Sequence, residues 1–247
     1  MKYLKYDKKL DYSYILGAFP TLEAISNRPD LIEEIIVSSK YKKIDELKRT
    51  LGVRGIGYRV DDKLIARLSK KENVFVIGIF KKKLGGVLKD EDHLVLERVS
   101  NMGNLGTIIR TMVGLGMRDL VTIGNTCDIY NPKVIRASMG SFFKIRHTSY
   151  PNMGEYMKAH KENRDNFFFL LDKSATALSE VDLIEKRKIS LIFGNEGSGL
   201  DRHYSEFGKS IFIEQTGDVD SLNLPVACAL GIYQFKIGRN YGKRSNF

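Results

Sequence analysis

The sequence predicts an α/β protein: a mostly parallel sheet covered by helices, with a smaller α/β unit ahead of it. Three observations carry that expectation. Apolar runs alternate with helical stretches along nearly the whole chain, and runs that are apolar nearly throughout, such as VFVIGIF (74–80) and ISLIFG (189–194), suit strands covered on both faces. Gly-rich loops follow several of these runs, as in FGNEGSGL (193–200). The segment KKKLGGVLKDED (81–92), charged and without periodicity, separates two such alternations and reads as a linker.

In the first alternation, residues 1–80, TLEAIS (21–26) reads as a helix and EIIVS (34–38) as a strand. IDELKRTL (44–51) is a helix closed by Gly52, 57–60 a strand, 63–68 a helix behind the acidic cap Asp61-Asp62, and 74–80 a buried strand. The second alternation, residues 93–247, has strands at 94–99, 119–124, 142–146 (FFKIR), 167–171, 189–194 and 211–215. Its helices are expected at 104–115, 132–139, 156–163 and 224–237, and the end YGKRSNF (241–247) is expected to be loose.

Composition bounds the function. The 247 residues, 43% of them apolar, suffice for a sizeable core. No apolar run reaches the roughly 18 residues that span a bilayer, and MKYLKYDKKLDYSY (1–14) lacks a signal-peptide core, so a cytoplasmic protein with no membrane partner is expected. Cys127 and Cys228 form no CxxC pair and the four histidines are scattered, so no metal site is expected. A net charge of +10 and a pI near 9.4 favour a polyanionic partner, although clusters such as Lys81-Lys82-Lys83 and Lys186-Arg187-Lys188 also suit an ordinary solvated face.

Three loops carry chemistry. NMGNLGTIIR (101–110) follows a strand and opens a helix, so main-chain N–H groups face the sheet edge, yet it lacks a dinucleotide fingerprint. Arg110 on that helix needs either a partner or access to water, and at about 100° per residue it lies about 120° away from Asn104. If the two cooperate, a second subunit is needed. FGNEGSGL folds tightly around a flat ligand; Glu196, an acceptor-only carboxylate, argues for a neutral or cationic ligand over a phosphate. GDVDSLNLP (217–225) enters a helix of small residues, with Asn223 a natural N-cap before Pro225.

Together NMGNLGTIIR (101–110), IFGNEGSGL (192–200) and IEQTGDVDSLNLPVACAL (213–230), with RASMGSFFKI (136–145) between them, resemble the SpoU (TrmH) family of SPOUT RNA ribose 2′-O-methyltransferases. The start GAFPTLEAI (17–25) and the alternation after it resemble the small RNA-binding domain that many members carry, itself similar to ribosomal kink-turn binders. The chain departs from the family at Met102, where many relatives have proline, and at Lys71-Glu72-Asn73, where a His-Gln-Gly-like ending is common.

The resemblance implies a trefoil-knotted domain, S-adenosylmethionine as cofactor and a homodimer with active sites completed across the interface. It implies that Gly194, Gly199, Ile213 and Leu222 contact the cofactor, and that Asn195 and Glu196 shape its pocket and that of the target nucleotide. Asn104, Arg110, Glu196, Ser221 and Asn223 make up the implied catalytic set. Arg110 acts there as general base, or it stabilises the developing alkoxide while another acceptor takes the proton, since arginine as a residue type holds its proton tightly. Large-subunit ribosomal RNA is the first expected substrate and transfer RNA the second. A catalytically silent RNA-binding factor of the same fold is the alternative, and a nucleotide-dependent oxidoreductase is disfavoured by the acidic loop.

Overall fold

A computed structural model describes residues 3–69, 73–161, 164–181, 187–216 and 218–238. In chain order the first elements are β1 (Tyr12–Leu16), α1 (Ala18–Asn27), β2 (Ile32–Val37), α2 (Ile44–Arg54), β3 (Tyr58–Val60), α3 (Asp62–Leu68) and β4 (Val76–Lys81). Then come β5 (His93–Glu97), α4 (Met102–Gly114), β6 (Asp119–Ile123), α5 (Pro132–Ala137), β7 (Arg146–Tyr150), α6 (Met153–Ala159) and β8 (Arg164–Phe169). The last are β9 (Thr176–Ala177), β10 (Lys188–Phe193), β11 (Lys209–Phe212) and α7 (Leu224–Tyr233). The expected loose end at 241–247 and Lys71, Glu72, Lys186 and Gly217 lie outside the described residues.

The chain forms two compact units, Met1–Leu84 with Asp128–Lys144, and Gly85–Cys127 with Ile145–Phe247. The first has a four-stranded sheet in the order β1-β4-β2-β3, with β4 antiparallel to both neighbours and β3 parallel to β2. Asp61 caps α3 by accepting from the Leu64 N–H at 2.8 Å, as its position before the helix suggested. Four expectations change here. The strand β1 (YSYIL) has no counterpart in the sequence reading, because its tyrosines and serine mask an element whose Ser13, Tyr14 and Ile15 are buried. The helix expected to close at Gly52 continues to Arg54 and stops at Gly55, held by buried Leu47 and Leu51. The division also departs from the expected one: 128–144 packs with the first unit, Ser13 Oγ donating to the Tyr130 carbonyl at 2.6 Å. FFKIR is therefore no strand. Phe142 and Phe143 sit in a 3-10 turn (Ser141–Lys144), edge-on to Phe80, and β7 starts only at Arg146.

The second unit has a seven-stranded sheet in the order β7-β6-β5-β10-β8-β11-β9, with every neighbouring pair parallel. The late strand β10 is inserted between β5 and β8, and β11 between β8 and β9. One face buries Val95, Val121, Phe168 and Ile192 against Met153 and Tyr156 of α6. On the other, Phe169 and Phe193 stack at 4.1 Å and meet α7 at Gly231, where a Cβ would lie 2.8 and 2.9 Å from their rings. After Tyr233 the last helix widens into a π-helical turn, Gln234–Gly238.

Parallel pairing puts all strand starts at one edge and all ends at the other. At the starting edge His93 is fully buried: Nε2 meets the Leu88 carbonyl at 2.7 Å, and Nδ1 meets Tyr156 Oη at 3.0 Å. A carbonyl only accepts, so the neutral ring carries its proton on Nε2. Tyr156 Oη pairs with Ser190 Oγ at 2.6 Å, and Arg164 donates to the carbonyls of Ile189, Lys89 and Glu91. Burial, and after it the Arg164 charge, hold His93 down at about 4.

Candidate functional site

At the ending edge the loops after β5, β10 and β11 converge, the usual ligand position in an open parallel sheet. A cleft with about 590 Å³ of space opens there, lined by Phe169, Leu171, Phe193, Leu222 and other apolar side chains. Gly194, Asn195, Glu196, Gly199, Ile213, Ser221 and Leu222 all line it, so residues from two of the three sequence motifs share one wall.

The stretch FGNEGSGL closes on itself. The Gly199 N–H donates to the Asn195 carbonyl at 2.9 Å, and Asn195 Oδ1 accepts from the Gly197 N–H at 2.8 Å. Gly194 faces the Gly199 main chain so closely that a Cβ would lie 2.2 Å from the Gly199 carbonyl, a contact no other residue type tolerates. Asn195 Nδ2 ties the loop to the Arg98 carbonyl at 2.8 Å. Downstream, Tyr204 Oη donates to the buried Glu97 at 2.9 Å; burial and that bond push the phenol up to about 12.

The first motif, NMGNLGTIIR, is bound to this loop through Glu196. Its carboxylate accepts from the main-chain N–H groups of Ser100 and Asn101 at 3.4 and 3.3 Å and from Asn104 Nδ2 at 3.2 Å. Asn101 Oδ1 in turn caps α4, accepting from Gly103 and Asn104 N–H at 2.8 and 3.1 Å. The positive end of α4 is thus filled by the protein's own carboxylate rather than left for a phosphate. Burial, then the Glu196 charge, raise the neighbouring Cys228 thiol well above its usual range, so it is no nucleophile.

The remaining expected residues are arranged differently. Arg110 is exposed, has no hydrogen bond or ion pair among the described residues, and does not line the cleft. The partner that its burial demanded is therefore not required. Asn223 stands at the N-cap of α7, and its carbonyl accepts from Val226 and Ala227, but its side chain caps nothing. Its exposed amide, like the exposed Ser221 hydroxyl, is left for other contacts. Sequence reasoning passed over Gln215, which also lines the cleft. Only its position two residues after Ile213 in the third motif could have flagged it.

A sequence profile described as the SpoU rRNA Methylase family matches residues 92–233. The chain belongs to that family. It is 29% identical over 144 residues to the 23S rRNA (guanosine(2553)-2'-O)-methyltransferase RlmP of Bacillus subtilis, covering 58% of this chain and 57% of that one. It is 28% identical over 200 residues to the 23S rRNA (uridine(2479)-2'-O)-methyltransferase of Streptomyces viridochromogenes, covering 76% of this chain and 69% of that one. The chain spans little more than half the length of the first curated relatives it matches. Among solved structures, the SpoU methyltransferase AviRb of Streptomyces viridochromogenes superposes with a TM-score of 0.78 at 22% identity, covering 94% of this chain and 91% of that one. The fold is therefore that of the SpoU enzymes. Among the described residues no helix is long and apolar enough to cross a membrane.

Proposed function

We propose that this chain methylates a ribose 2′-hydroxyl of RNA using S-adenosylmethionine, with large-subunit ribosomal RNA as its substrate and transfer RNA second. The observation that carries the reading is the Glu196 clamp, which joins the first motif to the cleft built by the other two. Two relatives named as 23S rRNA 2′-O-methyltransferases support the choice of RNA.

The cleft fits the cofactor. Stacked Phe169 and Phe193, with Leu171 and Leu222, offer apolar surface to a purine, and Gly194, Gly199 and Ile213 line the same cleft. Glu196 gives the wall a negative group suited to a cation. When bound, S-adenosylmethionine supplies a methyl already activated on a sulfonium. The chain's own tasks are then alignment and handling of the 2′-hydroxyl proton. Glu196 orients Asn104, Ser221 and Asn223 offer exposed hydrogen-bonding groups to the target nucleotide, and Arg110, brought by a second copy, is assigned to the reacting oxygen as base or as stabilising cation.

Arg110 lies outside the cleft of its own chain, which supports a homodimer in which a second copy contributes it. The surface for that copy is α7: Val226, Leu230 and Tyr233, on one helical face, are exposed by 48, 42 and 53%. The N-terminal unit is assigned to RNA binding, and the protein to the cytoplasm.

The test incubates the protein with methyl-tritiated S-adenosylmethionine and separated ribosomal and transfer RNA from cells lacking the enzyme. Label is expected in large-subunit ribosomal RNA. Label in neither pool, with the cofactor bound, would favour the silent RNA-binding alternative.

A further inference from the structure

One buried polar atom in the cleft wall has no partner among the described residues. Gln215 lines the cleft beside Ile213, and its Oε1 is buried with no hydrogen bond among the described residues. An amide oxygen withdrawn from water without a donor is costly, so a native protein rarely keeps one unless something else satisfies it.

Its orientation is enforced by its neighbour. The carboxylate of Glu214 accepts from the main-chain N–H groups of Leu178 and Ser179 at 3.0 and 3.2 Å, and from the Ser179 hydroxyl. Glu214 is therefore anchored to the turn at Leu178–Glu180, while Ile213 and Gln215 on either side of it both face the cleft. The same anchoring hydrogen bonds, Ser179 Oγ foremost, lower the Glu214 pKa, so the anchor is ionised at neutral pH. Gln215 is thus held at the wall by a clamp that continues the β9–β11 pairing.

The surroundings decide what donor it awaits. Phe169, Phe193, Phe212, Leu222 and Leu224 share the lining with Gln215, a setting for a flat heteroaromatic ring and an unfavourable one for a zwitterionic amino-acid tail. The charged Glu196 and the exposed Ser221, elsewhere in the lining, suit the charged end. Resting on the cofactor reading above, we propose that Gln215 is a specificity-determining residue whose Oε1 accepts a hydrogen bond from the exocyclic amine of the cofactor's adenine. The site would then read the base through a side chain as well as through main-chain loops. A purine without that amine leaves Oε1 as unsatisfied as it is in the free protein.

The experiment titrates the full chain calorimetrically with S-adenosylhomocysteine and with its 6-desamino analogue, in which the amine is replaced by hydrogen. The wild type should bind the desamino compound roughly tenfold more weakly, the range set by one buried hydrogen bond. Gln215→Met, close in size and without an amide, should bind both compounds within about twofold of each other, because the term that separates them is gone. Equal affinity of the wild type for the two compounds would overturn the proposal without any variant having to fold. An undiminished preference in Gln215→Met would overturn it too, with the cofactor reading intact. Failure of the wild type to bind either compound would remove the cofactor reading itself, and the role of Gln215 with it.

Discussion

The two edges of the seven-stranded sheet bury polar groups to opposite ends. At the starting edge His93, Tyr156, Ser190 and Arg164 satisfy one another and the nearby carbonyls, so the network is complete without any ligand. At the ending edge Gln215 Oε1 is buried and unsatisfied, and the Ser221 and Asn223 side chains are exposed and bond nothing among the described residues; Arg110, farther along α4, is likewise exposed and unpaired. Burial of polarity alone does not mark a site. What distinguishes the two is where the open atom lies: His160 Nδ1, whose ring stands edge-on to His93, is also buried without a hydrogen bond among the described residues, but only Gln215 Oε1 of the two lines the cleft.

Substitutions at the two edges should therefore separate stability from activity. The largest separation is expected at Arg110: Arg110→Ala should lower methyl transfer by roughly a thousandfold, the scale of losing a group that stabilises developing charge, with the melting temperature unchanged. Near-normal turnover in that variant would remove Arg110 from the mechanism. Next in size is the acid response of the starting edge. His93 titrates at about 4 when folded against 6.5 for an ordinary histidine, so the unfolded chain binds the proton first as pH falls. Its contribution is complete above pH 6.5 and is lost on descending towards pH 4, by about 3 kcal/mol in total. Denaturant titrations of wild type and His93→Gln between those limits should show the wild type losing more stability; parallel pH profiles would refute the assignment.

A smaller effect tests the boundary between the roles. Gly231→Ala drives a methyl into the Phe169 and Phe193 rings and should destabilise by ~1–3 kcal/mol, measured by chemical unfolding. The smallest effects come from two asparagines that occupy the same N-cap position on different helices. Asn101 caps α4 through its side chain and Asn223 does not cap α7, so Asn101→Ala should cost about 1 kcal/mol and Asn223→Ala less than about 0.5 kcal/mol. A loss of activity in Asn223→Ala without loss of stability would sharpen the contrast further.

Much of this was legible in the sequence, for identifiable reasons. Runs such as ISLIFG and DLVTIG are largely apolar because both faces of β10 and β6 are covered, and FGNEGSGL announces its tight loop through glycines that the main-chain contacts demand. The insertion of β10 between β5 and β8 was not legible, since strand neighbours are chosen by contacts far apart in the chain. FFKIR misled because an apolar pair can serve a packed turn as well as a strand, and here Phe142 and Phe143 fill the core of the first unit. The fit of Asn223 to an N-cap was also legible, but whether a side chain uses that position depends on its rotamer, which no spacing encodes. Gln215 carried no signal, because its meaning lies in the partner it lacks.

The central claim is the position of the transferred methyl. RNA labelled by the protein with tritiated S-adenosylmethionine, hydrolysed in alkali and separated by charge, tests it directly, because a methylated 2′-oxygen cannot attack the adjacent phosphate. Label in alkali-resistant dinucleotides is the expected result. Label confined to mononucleotides would mean that a base is modified and would contradict the account.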